Sequence, residues 1–190
     1  MKLVYIHGAG ATKESFNYLR EHVGGDDTTI SYSSQDGFAS NLASMKSQIE
    51  KFDDIFFIAH SLGGIYALNL AAAFPKQVLG AVTISTPYGG SEIAEVARFF
   101  APFHKLLNEI GPTSAPIAST KKLKLQHPWI NIVTTVGNSP WIPGDNDGVV
   151  TLTSMRRKDM QLKEVALNHY EILVSPVTVN IINTQIQTLS

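Results

Sequence analysis

A serine hydroxyl attacks a carbonyl only when its surroundings aim and activate it, and one serine of this chain has such surroundings. In Phe57-Ile58-Ala59-His60-Ser61-Leu62-Gly63-Gly64 an apolar run leads into a serine flanked by small residues, and a helical pattern follows. A sharp strand-to-helix turn lifts such a side chain above a sheet. Strand and helix nearly touch there, so small residues are needed two before and two after it. The first helical turn adds unpaired N–H groups and the positive end of a dipole beside a developing oxyanion. Taken alone, the same pattern describes a serine that caps a helix.

A second group is Ile6-His7-Gly8-Ala9-Gly10. Two glycines let the backbone approach a substrate oxygen, so that a main-chain N–H can point at it. The Ala9 and Leu62 amides are the candidate oxyanion donors. His7, Gly8, Gly10 and His60 belong to the same two turns and are expected to orient or pack around a substrate rather than to carry protons. A phosphate loop is a poor alternative. The G-x-x-x-x-G-K-[ST] pattern is absent, and Gly8-Ala9-Gly10 lacks the third glycine of a dinucleotide fingerprint.

A serine nucleophile needs a base. Of the six histidines, His22 falls on a surface-helix position, and His104 and His127 fall in an irregular region. His169, in Ala166-Leu167-Asn168-His169-Tyr170-Glu171, follows the last strand and precedes the last helix, where a base would face the nucleophile. A carboxylate must then hold the imidazole in the right tautomer. Asp145 and Asp147, in Gly144-Asp145-Asn146-Asp147-Gly148-Val149-Val150, both qualify by type and place. Asp147 is preferred and Asp145 held in reserve. Asp-Gly is also a common turn dipeptide, and no bidentate Glu follows at calcium-loop distance.

These groups need a scaffold that brings them together. Apolar runs at Leu3–Ile6, Thr29–Tyr32, Ile55–Ala59, Leu79–Ile84, Ile130–Val136 and Leu162–Val165 read as strands. Most lack polar alternation, as expected for parallel strands covered on both faces. Helical spacing relates Phe16, Leu19 and Val23; Leu42, Met45, Ile49 and Phe52; Ile65, Leu68 and Ala72; and Val179, Ile182, Ile186 and Leu189. Pro75 ends the third helix and Pro176 suits the first turn of the last. The alternation implies a parallel sheet with helices on both faces. Ligands sit outside the carboxyl ends of such strands, where each group above falls.

The chain has 190 residues, enough for one domain with a sizeable core, and no repeat or charge block divides it. Its 15 basic and 16 acidic residues give a net charge of -1, which offers no electrostatic footprint for nucleic acid or an anionic membrane surface. With no Cys, disulfides, thiolate zinc sites and cysteine nucleophiles are excluded. No segment approaches the roughly 20 apolar residues that span a bilayer. The amino-terminal apolar run stops at His7-Gly8, too short for a secretion signal, so a cytoplasmic location is expected unless a leader has been removed.

Together the His7–Gly10 turn, the Ala59–Gly63 elbow, Ser85-Thr86-Pro87-Tyr88-Gly89-Gly90-Ser91, Asp145–Val150 and Asn168-His169-Tyr170 resemble small bacterial lipases and esterases of the α/β-hydrolase superfamily. The order Ser, Asp, His matches as well. The resemblance implies an α/β-hydrolase fold in a minimal, mostly parallel six-stranded version, with Ser61 as nucleophile, Asp147 as acid, His169 as base, and Ala9 and Leu62 as oxyanion donors. Ala59 departs from the usual first glycine of the elbow. The first strand read here is the one carrying His-Gly, so a version without the two leading strands of the larger fold is expected.

Between Gly89 and Trp129 no strand pattern appears. Ile93, Val96, Phe100, Phe103 and Leu107 recur at helical spacing, beside Phe99 and Leu106, with a kink expected at Pro102; a loop containing Pro112, Pro116, Lys121, Lys122 and Lys124 follows. This insertion, about 89–128, is expected either to cap the site, with Phe100 and Phe103 shaping an acyl pocket, or to pack as a static helix. Trp141 is a further candidate for the pocket wall. The expected activity is hydrolysis of a small ester or acyl substrate without metal or organic cofactor. Acyl transfer or thioester cleavage by the same triad, or a non-catalytic binding protein on this fold, are the alternatives.

Overall fold

A computed structural model of the chain describes residues 1–91 and 105–189. The strands are β1 Lys2–Ile6, β2 Asp27–Ile30, β3 Ile55–His60, β4 Val78–Ile84, β5 Trp129–Thr134 and β6 Gln161–Val165. They form one sheet in the order β2-β1-β3-β4-β5-β6, with every pair parallel. The described helices are α1 Asn17–Val23, α2 Phe38–Ile49, α3 Leu62–Ala73, α4 Lys105–Asn108, α5 Ala115–Lys121, α6 Leu152–Met155 and α7 Pro176–Gln187, with short 3-10 turns at Lys13–Phe16 and Glu171–Val174. None is long and apolar enough to cross a membrane.

Alternate strand residues point to opposite faces, and here both faces are apolar. Val4, Ile6, Phe57, Ala59 and Ala81 meet Met45, Ile49, Tyr66 and Leu70 from α2 and α3. Leu3, Tyr5, Phe56, Ile58, Val82, Ile84, Ile130 and Ile132 meet Phe16, Leu19 and Ile182 from the α1 and α7 side. Every residue of β3 is buried, which is why Ile55–His60 reads as an unbroken apolar run. The edge strand β6 is largely exposed and carries Lys163 and Glu164, charges that discourage edge-to-edge pairing.

Chain order reverses between β1 and β3. The chain runs from β1 outward to β2, then returns to place β3 on the other flank of β1. This is the switch point where open α/β sheets leave a crevice at the carboxyl ends. Helix α3 starts in it. A Cβ on Gly63 would stand 2.1 Å from the Ile6 carbonyl oxygen, and one on Gly64 would stand 2.0 Å from Thr86 Oγ1. Neither distance leaves room for a methyl, so the two glycines set how deep the helix sits.

The structure shifts three sequence-based expectations. β2 begins at Asp27 and ends at Ile30, because Arg20 grips the Asp27 carboxylate through both Nε and Nη2 at the start of the strand. Tyr32 leaves the sheet, and its hydroxyl donates to the His7 carbonyl. Pro116 and Lys121, read as loop, lie in α5. Proline lacks an N–H that a first helical turn does not use, and the helix buries Ile117 and Thr120. β5 ends at Thr134 rather than Val136, which is 47% exposed. Of the expected cap stripe, Ile93, Val96, Phe99, Phe100, Pro102 and Phe103 lie outside the described residues, while Leu106 is buried in α4.

The close approach of α3 yields a direct test. Gly63→Ala is expected to cost about 1–3 kcal/mol through overpacking against backbone, lowering the melting temperature by roughly 4–8 °C at the middle of that range. An unchanged melting temperature would show that helix and strand can part freely.

Candidate active site

Ser61 joins β3 to α3 with φ 52° and ψ −126°, a conformation that non-glycine residues seldom adopt. Such strain costs on the order of 1–3 kcal/mol and persists only where neighbours over-determine it. Here Ser61 N–H donates to the Ile84 carbonyl at 2.8 Å, and the Ser61 carbonyl accepts from Gly64 N–H at 3.0 Å. Gly8 supplies the third restraint: a Cβ there would meet Ser61 Cβ at 3.0 Å and Oγ at 3.5 Å. The Ala59 methyl that replaces the usual elbow glycine is fully buried in the α3-side core.

His169 follows β6 and Asp147 follows β5. The imidazole Nδ1–H donates to Asp147 Oδ2 at 2.7 Å, and the His169 main-chain N–H donates to the Asp147 carbonyl at 3.1 Å. Both residues are buried. Asp147 Oδ1 accepts from the Val149 and Val150 amides, and Oδ2 also accepts from the Thr134 hydroxyl. Burial alone would push this carboxyl up, but the hydrogen bond and charge of His169, with the Thr134 and Val150 donors, outweigh it and hold the group below its ordinary value. Asp145 is exposed, and its carbonyl accepts from Leu152 N–H; Asp147 is the carboxylate that meets His169.

The acid loop is built around two tight contacts. Asn146 Oδ1 accepts from Ser139 and Gly148 N–H while its amide donates to the Gly144 carbonyl. Gly137 lies so close that a Cβ would stand 2.1 Å from the Asp147 carbonyl carbon. The base loop is held by Asn168, whose Oδ1 accepts from the Tyr170 and Glu171 amides.

His60 ties the two halves together. Its Nε2–H donates to the His169 carbonyl at 2.9 Å, and the two rings lie 4.7 Å apart. Burial, then the neighbouring His169, lowers the His60 pKa to about 3. Protonation would add an N–H at Nδ1, a buried atom without a hydrogen-bond partner among the described residues.

Ser61, Leu62, His60, His169, Gly8 and Ala9 line one cleft of about 170 Å³, whose apolar wall includes Ala11, Pro87, Ile110 and Val149. Leu62 opens α3, so its amide belongs to the first turn, where no intrahelical acceptor exists. Other expected contacts do not reach the cleft. His7 is buried beneath the turn, stacked on Tyr32 at 4.4 Å, with Nδ1–H donating to the Gly8 carbonyl. Gly10 lies on the outer side, its N–H donating to Ser34 Oγ. Trp141 is 76% exposed and lines no part of the cleft, since Asn146 holds the acid loop in place without it. Phe100 and Phe103 lie outside the described residues.

Sequence reasoning gave no role to Thr134, to Ser85 or to Tyr170, which lines the cleft. Ser85 Oγ and Thr134 Oγ1 are 2.8 Å apart; because Thr134 gives its proton to Asp147, Ser85 is the donor between them. Ser85 is fully buried at φ 51°. For Ser85 and Thr134 the sequence signal was a hydroxyl residue at the end of each of two apolar strands.

The neutral state of His60 sets a pH dependence. A depressed folded pKa makes its contribution complete above the ordinary value of about 6.5, and that contribution is lost as pH falls toward about 3. Denaturant melts between pH 7 and pH 4 should therefore show stability declining with acid, and His60→Gln should flatten that slope. Parallel slopes in the two proteins would refute the assignment.

Residues 3–136 match the sequence profile described as the alpha/beta hydrolase family. No curated protein matches the chain by sequence. Among solved structures, the mature Bacillus licheniformis lipase BlEst2 aligns with TM-score 0.74 at 16% identity, covering 97% of this chain and 91% of that one. The Paleococcus ferrophilus monoacylglycerol lipase aligns at 0.70 and 16% identity, covering 100% and 95%. The metagenomic carboxyl esterase MGS0156 aligns at 0.72 and 17% identity, covering 89% of this chain and 64% of that one. A profile match over most of the length and a shared parallel-sheet architecture lead to one conclusion: the chain belongs to the alpha/beta hydrolase family.

Proposed function

We propose that the protein hydrolyses carboxylic esters through an acyl-enzyme formed on Ser61. The observation that carries this reading is a strained serine sharing one cleft with a histidine whose far nitrogen is bonded to a buried carboxylate.

In the proposed cycle Ser61 Oγ attacks the ester carbonyl carbon and His169 Nε2 takes the hydroxyl proton. Nδ1 is committed to Asp147, which leaves Nε2 as the basic nitrogen. The carbonyl oxygen becomes an oxyanion, held by the Ala9 and Leu62 amides. Collapse breaks the bond to the leaving alcohol, which takes the proton from His169. Water, deprotonated by the same nitrogen, then releases the acid and restores Ser61. Asp147 stays ionised throughout and stabilises the imidazolium. Ser85 and Thr134 act as positioning residues by occupying one lone pair of Asp147 Oδ2, and His60 holds the main chain of His169 from the opposite side.

Ser61→Ala should abolish labelling by a fluorophosphonate probe and lower turnover of p-nitrophenyl esters by roughly 10⁴-fold or more. Retained labelling would reject Ser61 as the nucleophile. Asp147→Asn should bring a loss of about 10⁴-fold, while Asp145→Asn keeps wild-type kcat; the reverse order would move the acid to Asp145. Thr134→Val removes one hydrogen bond to a charged group, about 1.5 kcal/mol, so kcat should fall about tenfold and return with Thr134→Ser. Full activity in Thr134→Val would strip the hydroxyl of its positioning role.

A further inference from the structure

Six of the chain's 15 basic side chains converge on one groove outside the Ser61 cleft. Lys121, Lys122 and Lys124 come from the end of α5 and the segment after it. Arg156, Arg157 and Lys158 come from the loop between α6 and β6. The groove is broad and open to solvent, with a volume of about 670 Å³. Among the described residues, Asp159 is the one acidic residue in its lining.

Half of these cations already have work in the fold. Arg157 is the strut that holds the two segments together: it bonds Asp159, donates to the Thr120 and Leu123 carbonyls, and lies over the Tyr88 ring at 5.8 Å. Arg156 pairs with Glu164 at 2.7 Å, and Lys121 Nζ donates to the Pro112 carbonyl at 3.3 Å. Lys122, Lys124 and Lys158 are exposed and form no ion pair among the described residues. Folding thus gathers like charges from two distant segments in a chain whose 16 acidic residues could have balanced them.

A concave wall of one sign focuses its field and attracts the opposite charge. Three ammonium groups, each a point charge with three donors, match the spread oxygens of a phosphate. The lining does not suit single-stranded nucleic acid, which needs exposed aromatic faces for stacking; Tyr88 is only 3% exposed and lies under Arg157. The groove also borders the Ser61 cleft. Pro87 and Ser91 line the cleft while Tyr88 and Gly89 line the groove, so two residues, at most about 7 Å of chain, step from one wall to the other.

We infer that this groove binds the phosphate group of a phosphorylated small molecule, with Lys122, Lys124 and Lys158 as its contacts. The phosphate belongs either to the acyl substrate or to a separate ligand, and the test has an arm for each.

Calorimetric titration of sodium pyrophosphate at low ionic strength compares three proteins: the wild type, Lys122→Gln/Lys124→Gln/Lys158→Gln, and a control of equal net charge, Lys46→Gln/Lys51→Gln/Lys76→Gln. Binding by wild type and control, weakened about tenfold or more in the groove variant and further by added salt, supports the site. No binding by wild type, or equal binding by all three, overturns it. An equal loss in both variants overturns it too, by showing a diffuse charge effect. This readout needs no turnover, so it stands apart from the proposed ester hydrolysis. In the second arm, kcat/KM for a lysophospholipid is set against that for a monoacylglycerol. A preference for the phosphate-bearing ester that disappears in the groove variant supports the site with the phosphate on the substrate. Lost pyrophosphate binding with both esters turned over as in wild type supports it with a separate ligand.

Discussion

The geometry of the molecule depends on how closely the first turn of α3 is driven against the carboxyl end of β1. No side-chain atom fits between Gly63 and the Ile6 carbonyl, or between Gly64 and Thr86. That closeness bends the chain at Ser61 into a positive φ, which three neighbours then hold: Ile84, Gly64 and the bare face of Gly8. A side chain within a strand would point to one face of the sheet and be covered by the helices packed there. At this forced corner it stands above the rim, beside the first-turn amides of the helix. The strain persists because β3 is buried along its whole length and α3 over most of its length, so that their packing over-determines the turn.

The other half of the site solves a different problem, a buried charge. An isolated carboxylate in an apolar interior would take up a proton rather than stay ionised. Asp147 avoids this with two backbone amides, a hydroxyl and an imidazole N–H. The four donors come from three pieces of structure: the loop that carries Asp147 itself, the end of β5, and the loop after β6. The carboxylate therefore works as a fastener as well as a charge. His60 adds the converse arrangement, a ring kept neutral by burial that grips the backbone of His169. The proposed base is thus held by its ring from one side and by its carbonyl from the other.

Charge is distributed with the same economy of position. A net charge of -1 over the chain conceals a groove in which six cations gather against a single carboxylate among the described lining residues. Arg157 commits its guanidinium to main-chain carbonyls and Asp159, and so brings together the segments that carry Lys122, Lys124 and Lys158. Composition averages over the surface, while a binding field depends on local sums.

All six strands and the principal helices were legible in the sequence, because parallel strands buried on both faces leave unbroken apolar runs and amphipathic helices leave a period. The turns that carry Ser61, Asp147 and His169 were legible for a similar reason: turns that demand glycine or small residues leave local marks. The choice between Asp145 and Asp147 was not. Both occupy the same loop, and only packing against Gly137 and Thr134 decides which carboxylate turns inward. The burial of His7, the exposure of Trp141, the Ser85–Thr134 contact and the basic groove belong to the same class. Periodicity and turn chemistry are properties of neighbours in the chain, and a sequence records them. Which of two adjacent side chains faces another strand is settled by contacts dozens of residues away, so only the folded structure decides it.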